Sequence, residues 1–384
     1  PLLYGEPEFS RRGEVLVIHA DLVASAFFLL SRYEECVLRE VRDGHGRFPG
    51  RRSLLFRADV LDRPLVDEYG VALRTWLRDA GLDIPEWARN PSVVLTHDID
   101  DIRLFTGWKG IFRSLASAAL KPRRGKLRDS IDRLQVQLGN RCDPLGDPNT
   151  ILRMDQEVVR QLGHEHCRVI HFMISGGDST WDRRYDIESP EAREMVGRLE
   201  EAGAEIGLHA SYSAGGEPSR IAAEKDRLEG VLSHPVKSNR HHFLRFSEPE
   251  HVQYLADAGI RHDYTMGYAD VAGFRLGTCR PFLAINPTTG EILNLTYHPL
   301  TAMDCTLDRA KYMGLSYEDA RGYCQQLLAQ VFRFGGEAVL LWHNTEFTSS
   351  AKLAGSYHHK LYREVLRMLV GDVSEMDVEG TGYK

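Results

Sequence analysis

The chain has 384 residues, a formal net charge of −7, a hydrophobic fraction of 42% and a charged fraction of 27%, a balance typical of a globular protein with ample core. The net negative charge argues against a nucleic-acid surface, which usually needs a basic domain. The most apolar early stretch, residues 22–30, is too short to span a bilayer, so we expect neither a nucleic-acid partner nor a membrane span.

The six cysteines are scattered along the chain and include no Cys-x-x-Cys pair. In a chain of this size, that pattern favours free thiols in a reducing compartment over a disulfide framework. We therefore expect a cytoplasmic protein whose oligomeric state does not follow from the sequence. The chain begins at Pro1 without a methionine, which is consistent with the removal of an upstream segment.

Residues 1–90 are expected to form a small α+β domain. A strand is predicted over 14–19, a helix over 22–35 with Asp21 as its cap, and a second helix over 64–79. Gly and Pro residues interrupt the pattern after the second helix and close a linker before the next domain begins at residue 91.

The second domain, residues 91–384, opens with a short apolar strand that ends abruptly in acidic residues. Asp98 and Asp100 point to the same side of an extended strand end, because side chains alternate with a period of two. Two carboxylates there repel each other unless a cation or an arginine lies between them. The competing interpretation is a helix N-terminus, with Asp98 as cap and Asp100 and Asp101 facing the helix dipole.

From residue 151 onward, helical and strand patterns alternate in about seven units, which predicts a mostly parallel sheet or a barrel. Three of the later strands end in histidine, at His209, at His241–His242 and at His343. A single histidine at a strand end is usually structural, but four strand ends with carboxylates, imidazoles and Arg240 indicate a shared site. A set of His and carboxylate ligands with an open position is typical of a catalytic divalent metal and of metal-assisted hydrolysis.

The ordered set of strand ends resembles the motifs of the polysaccharide deacetylase family (NodB-like, carbohydrate esterase family 4), and the resemblance extends from about residue 92 to the end. The matching stretches are THDID at 96–100, HASYS at 209–213, RHHF at 240–243 and LLWHN at 340–344. Members of this family resemble a distorted, incomplete (β/α) barrel. A bacterial subgroup with a small leading domain is similar over 263–282.

The resemblance implies one divalent metal, Zn²⁺ first and Fe²⁺, Mn²⁺, Co²⁺ or Ni²⁺ as alternatives. It implies Asp98 as the catalytic base, Arg240 as the residue that braces this base, and His343 as the catalytic acid. Asp100 and His209 match metal ligands. On the substrate side, it implies an oxyanion-binding backbone N–H at Phe243.

Arg275 and Tyr268 are further candidates for contacts with substrate. A lone arginine usually forms a structural ion pair, and the family likeness adds a role in the active site as the alternative.

The chain departs from the family at the third metal ligand. The second histidine of the HASYS motif is replaced by Ser213, a poor ligand, and the proline of the RHHF motif is replaced by His242. We expect His242 to complete the ligand set with Asp100 and His209. His241 competes with it, since adjacent strand residues cannot both face the site, and the choice among His242, His241 and Ser213 stays open at this point.

The expected reaction is removal of an N-acetyl group from a sugar or polysaccharide. Family relatives outside sugar chemistry hydrolyse other C–N bonds, so an allantoinase-like hydrolase of a small amide is an alternative. A second alternative is a catalytically degenerate carbohydrate-binding protein, which Ser213 suggests.

Overall fold

Two sheets organise the computed structural model, a small one near the N-terminus and a nine-stranded one that forms the main body. The structure describes residues 2–85, 90–104, 112, 116, 124–140, 143, 145, 148–182, 185–347 and 356–371. The C-terminal bound expected for the second domain, residue 384, lies outside these ranges.

The N-terminal region combines an antiparallel pair of strands with four helices. The elements are β1 (Gly5–Arg12), β2 (Val15–Ala20), α1 (Leu22–Leu30), α2 (Tyr33–Val37), α3 (Leu54–Arg57) and α4 (Leu65–Asp79). Asp21 caps α1 by accepting the Ala24 N–H at 2.9 Å, as predicted. The predicted helix over 22–35 is divided at Arg32, which has a φ of 57° and forms a buried ion pair with Glu248.

The large sheet has a mixed order and stays open. Its strands are β3 (Ser92–Ile99), β4 (Cys167–Met173), β5 (Glu205–Ala210), β6 (Ser238–His241), β7 (His262–Asp263), β8 (Phe282–Ile285), β9 (Ile292–Tyr297), β10 (Leu300–Met303) and β11 (Glu337–Leu341). The strand order is β10-β11-β3-β4-β5-β6-β7-β9-β8, and every neighbouring pair is parallel except β8 and β9. In the described part of the chain the two edge strands do not pair, so the sheet is a curled half-barrel.

Helices connect most of the strands. They are α5 (Arg124–Gln137), α6 (Asn149–Leu162), α7 (Pro190–Glu201), α8 (Ile221–Glu229), α9 (Glu250–Asp257), α10 (Asp304–Asp308), α11 (Tyr317–Phe334) and α12 (Tyr357–Val370). Serine side chains cap α7, α11 and α12, at Ser189, Ser316 and Ser356. The predicted alternation of helices and strands is confirmed. β10 and the short helix α10 that follows it were not predicted. β10 follows β9 without an intervening helix and so interrupts the alternation.

Both faces of β3 are buried, and each face has a different role. Val94 packs in an inner apolar cluster that also contains Phe172 and Leu341, whereas Val93 and Leu95 pack outward in the larger core. Because the parallel strands β3, β5, β6 and β11 all end at the same edge, their terminal side chains meet above the inner cluster.

Among the helices within the described ranges, none combines the length and apolar content needed to cross a bilayer. The five cysteines in those ranges are all unpaired, as predicted, and Cys142 lies outside them.

Candidate metal centre

Three side chains from three strand ends converge at the carboxyl edge of the sheet. The Oδ1 atom of Asp100 lies 3.6 Å from Nε2 of His209 and 3.4 Å from Nε2 of His242. One candidate ligand atom from each residue lies within 4.8 Å of the other two. Asp100 Oδ1 and His209 Nε2 are buried and make no hydrogen bond within the described structure. Two imidazoles and one carboxylate are a donor set that suits a divalent transition metal with open positions.

Hydrogen bonds behind the two histidines fix which ring nitrogen faces the cluster. Nδ1 of His209 lies 2.9 Å from the carbonyl oxygen of Arg240, which can only accept, so this nitrogen carries the proton. Nδ1 of His242 lies 3.3 Å from Oδ1 of Asp182. Both Nε2 lone pairs therefore point at Asp100, in the arrangement by which outer partners orient metal-binding histidines.

Asp182 was not identified from the sequence. It follows the carboxyl end of β4 and also accepts hydrogen bonds from the Ser179 hydroxyl at 2.7 Å and the Ser213 N–H at 3.1 Å. Burial alone would raise the pKa of Asp182, but the hydrogen bonds from His242, Ser179 and the Tyr212 backbone hold it well below its usual range. Ser213 thus supports Asp182 rather than entering the cluster.

We expect Asp182→Asn to weaken zinc binding about 10- to 100-fold, because the replacement removes the charge that orients His242 and raises its basicity. Competition with a chromophoric chelator measures this affinity. Asp178→Asn is the matched control, since Asp178 also contacts Ser213 but does not contact His242. An unchanged affinity in Asp182→Asn would show that the carboxylate has no part in metal binding.

The structure brings His242, and not His241, to Asp100. The His241 ring packs on the opposite side of the chain, with its centroid 5.3 Å from Phe246 and 4.9 Å from His251. This is the alternation that the sequence predicts for adjacent residues at a strand end.

Asp98 and Arg240 form a buried ion pair beside the three candidate ligands. Nη1 of Arg240 lies 3.1 Å from Oδ1 of Asp98 and 2.6 Å from the Thr96 hydroxyl oxygen, and the guanidinium lies over the Phe172 ring at 4.7 Å. The second Asp98 oxygen, Oδ2, lies 3.5 Å from Nε2 of His209. Arg240 is fully buried, so it provides a fixed counter-charge for a carboxylate at the mouth of the half-barrel.

His343 occupies the opposite side of the cluster and is oriented by Asp304. Nδ1 of His343 lies 2.7 Å from Asp304 Oδ1, and Nε2 lies 4.0 Å from Asp100 Oδ2. Burial alone would lower the pKa of His343, but Asp304 and Asp100 more than offset this and raise it to about 10. Cys305 lies close to this pair, and burial raises the pKa of its thiol well above the usual value.

Four aromatic rings form a wall beside the cluster. Phe243 is at its centre, with ring centroids 4.9 Å from His45, 5.3 Å from Trp181, 5.3 Å from Tyr212 and 4.8 Å from His242. Trp181 is 43% exposed, so part of its ring is available to a ligand. His45 comes from the N-terminal region, which therefore contributes to the surroundings of the site.

Arg47 of the N-terminal region holds the turn that contains Phe243. Phe243 and Leu244 have positive φ values of 63° and 52°, a conformation that residues other than glycine rarely adopt. Buried Arg47 donates to the Phe243 carbonyl oxygen at 2.9 Å and to the Tyr312 hydroxyl at 3.2 Å, and it pairs with Asp43 at 2.7 Å. The N-terminal region thus stabilises the backbone next to His242.

Under the metal-dependent hydrolysis proposed below, we expect Arg47→Ala to lower kcat about 10- to 100-fold without loss of metal, because the turn at Phe243 is released from its fixed geometry. Steady-state kinetics and metal analysis of the same preparation measure the two quantities. Arg39→Ala is the control, since Arg39 is an exposed arginine of the same region and pairs only with exposed Glu250 in the described structure. Normal turnover by Arg47→Ala would contradict a role for this contact.

The structure does not bring Arg275 and Tyr268 to the cluster. Arg275 forms a buried bidentate pair with Glu35 at 2.9 and 2.6 Å and donates to the Gly267 carbonyl oxygen at 2.9 Å. Its guanidinium lies 4.9 Å from the centre of the Tyr268 ring, which packs in the N-terminal core with Phe48. The expectation that both contact substrate is therefore replaced by a structural role, because the Arg275 guanidinium is used to join α2 to the main body and the Tyr268 ring is buried in the N-terminal core.

The N-terminal region matches a family model, and the fold of the chain has a distant likeness to a solved structure. Residues 3–81 match the model of a family of unknown function, DUF7033, and this segment includes His45 and Arg47. No curated protein matches the chain. The fold is similar to the crystal structure of a protein from Mycobacterium smegmatis described provisionally as a polysaccharide deacetylase. That likeness has a TM-score of 0.44 and 14% identity over 75% of this chain and 86% of the other.

Proposed function

We propose that the chain is a metal-dependent hydrolase that removes N-acetyl groups from a sugar or polysaccharide. The observation that supports this most is the convergence of a buried Asp98–Arg240 pair, three candidate metal ligands and a His343–Asp304 pair at one edge of the sheet. A base, an acid and a metal site facing a common space are the parts that amide hydrolysis needs.

Asp100, His209 and His242 would hold the metal, and the unsatisfied buried atoms Oδ1 of Asp100 and Nε2 of His209 fit that assignment. When bound, a divalent ion would supply Lewis acidity to the acetyl carbonyl and to the attacking water. Zn²⁺ is the first choice because two imidazoles and one carboxylate, with positions left open, are a common catalytic zinc set.

Each of the residues around that site has a proposed role in the hydrolysis. Asp98 accepts the proton of the attacking water, and the ion pair with Arg240 fixes this carboxylate in place. The backbone N–H of Phe243 donates to the oxyanion that develops on the acetyl group. His343, held by Asp304, donates a proton to the departing amine nitrogen. Acetate and a free amine are the products.

The aromatic wall favours a sugar over a small cyclic amide. A partly exposed indole beside a catalytic centre offers an apolar face on which a pyranose ring can lie, with the sugar hydroxyls still in contact with water. Residues 1–90 are proposed to act as a domain that completes this wall through His45.

We expect Trp181→Ala to raise KM for an N-acetylated oligosaccharide about tenfold, or roughly 1.4 kcal/mol of binding free energy, with little change in kcat. Initial-rate kinetics on substrates of increasing length measure this. Tyr254→Ala is the control, because Tyr254 on α9 is 44% exposed, close to the 43% of Trp181, and lies outside the wall. An unchanged KM would remove Trp181 from the substrate site.

The proposed function is tested by incubating the zinc-loaded protein with N-acetylglucosamine oligosaccharides and with cyclic ureides. Acetate and primary amine released in equal amounts from the sugar are expected. Hydrolysis of the ureide alone would favour a small-amide hydrolase, and metal binding without turnover of any substrate would favour a carbohydrate-binding protein.

A further inference from the structure

A second group of polar side chains lies on the outer face of the sheet, on the far side of β3 from Asp98. His97 on β3 and His171 on β4 are register partners with ring centroids 4.9 Å apart. Asp155 of α6 and Tyr362 of α12 close over them. His97, Asp155 and His171 are fully buried, although their layer is otherwise apolar.

The hydrogen bonds of His97 leave two lone pairs facing each other. Nδ1 of His97 lies 2.9 Å from the carbonyl oxygen of Trp342, so this nitrogen carries the proton and Nε2 carries a lone pair. Nε2 lies 2.9 Å from Oδ2 of Asp155. The other oxygen, Oδ1, accepts the Tyr362 hydroxyl at 2.6 Å. A cation between His97 and Asp155 is needed to make this contact favourable, and it can be a proton or a metal ion.

The unsatisfied ring nitrogens of His171 distinguish a metal ion from a proton at this position. Both of its ring nitrogens are buried and make no hydrogen bond within the described structure. A proton shared by His97 and Asp155 would satisfy those two residues and leave His171 with two unsatisfied polar atoms. A metal ion would satisfy His97, Asp155 and one nitrogen of His171 together.

We propose that His97, Asp155 and His171 form a second, structural site for a divalent transition metal of the zinc type. One candidate ligand atom from each lies within 4.8 Å of the others, and the ligand atoms of a tetrahedral zinc ion are about 3.3 Å apart. The Tyr362 oxygen, 3.4 Å from Nε2 of His97, is placed to be the fourth ligand. The site is closed by protein on all sides, as structural zinc sites are.

This second site ties together four elements behind the proposed catalytic strand end. It joins β3, β4, α6 and α12, and His97 is the immediate neighbour of Asp98. Asp155 also lines a surface groove of about 400 Å³ between α6 and the start of β5. The inference stands independently of the proposed function, because it uses none of the same ligands.

Elemental analysis of purified, dialysed protein tests the proposal. We expect two zinc ions per wild-type chain and one in His171→Leu, which replaces the imidazole by an apolar group of similar volume. His209→Ala is expected to keep one ion, in the buried site. His251→Leu is the matched control, since His251 is a buried histidine outside both groups, and it should keep two.

Results that differ from these expectations distinguish failure of the buried site from failure of the catalytic ligand set. One ion per wild-type chain that His209→Ala loses and His171→Leu keeps would overturn the buried site and leave the proposed function intact. One ion that His171→Leu loses and His209→Ala keeps would uphold the buried site and overturn the catalytic ligand set. If His171→Leu does not fold, Co²⁺-loaded His209→Ala takes its place: absorption bands of tetrahedral Co²⁺ support the buried site, and their absence overturns it.

Discussion

Replacement of Asp98 by Asn is expected to lower kcat by about 10²- to 10⁴-fold while the metal content stays unchanged. The amide has nearly the same shape as the carboxylate but cannot take a proton from water. It also leaves the buried guanidinium of Arg240 without its counter-charge at 3.1 Å. Acetate release and metal per chain, measured on the same preparation, separate loss of the base from loss of the ion.

Asp101→Asn is the matched control for this variant. Asp101 belongs to the same acidic strand end, but its carboxylate accepts the Arg103 backbone N–H at 3.0 Å and lies outside the cluster. We expect its turnover to equal that of the wild type. Full activity in Asp98→Asn, or equal losses in both variants, would contradict the assignment of Asp98 as the base.

Replacement of His209 by Ala is expected to abolish both metal binding in the catalytic site and acetate release. His209 is fully buried and contributes one of the three candidate ligands that the described residues place in this site. Its loss leaves Asp100 and His242, too few to retain a zinc ion against dialysis. Metal analysis and activity should fall together, and added zinc should not restore turnover.

His241→Gln is the control for the ligand assignment. His241 is equally buried and adjacent to His242, but its ring faces His251 rather than Asp100. We expect this variant to retain its catalytic metal. Retention of full activity by His209→Ala, or loss of the metal from His241→Gln in a folded protein, would show that the ion is held elsewhere.

The residues that were predicted to lie together, and that the structure does bring together, are those at the ends of predicted parallel strands. Asp98, Asp100, His209 and His343 each lie at or just beyond the end of a strand-like run, and such runs end at one edge of a parallel sheet. Side-chain alternation predicted that only one of His241 and His242 faces the cluster, and the structure places His242 there. These inferences succeed because the end of a strand, and the alternation of its side chains with a period of two, can be recognised from a short stretch of sequence.

The remaining contacts depend on loops and on distant pairings that carry no local pattern. Asp182 lies nine residues beyond the end of β4, Asp304 follows a strand that was not predicted, and Arg47 reaches Phe243 from the N-terminal region. Only the position of Asp182 after a strand end offered a signal. Arg275 was misplaced for the same reason, because its partner Glu35 lies 240 positions away in the chain.

The most direct test is a crystal structure of the zinc-loaded protein with anomalous diffraction data collected at the zinc absorption edge. The proposed ligand set predicts an anomalous peak within coordinating distance of Asp100 and of the Nε2 atoms of His209 and His242, with Asp98 and His343 on either side. A zinc-loaded crystal with no peak between these three side chains would contradict it.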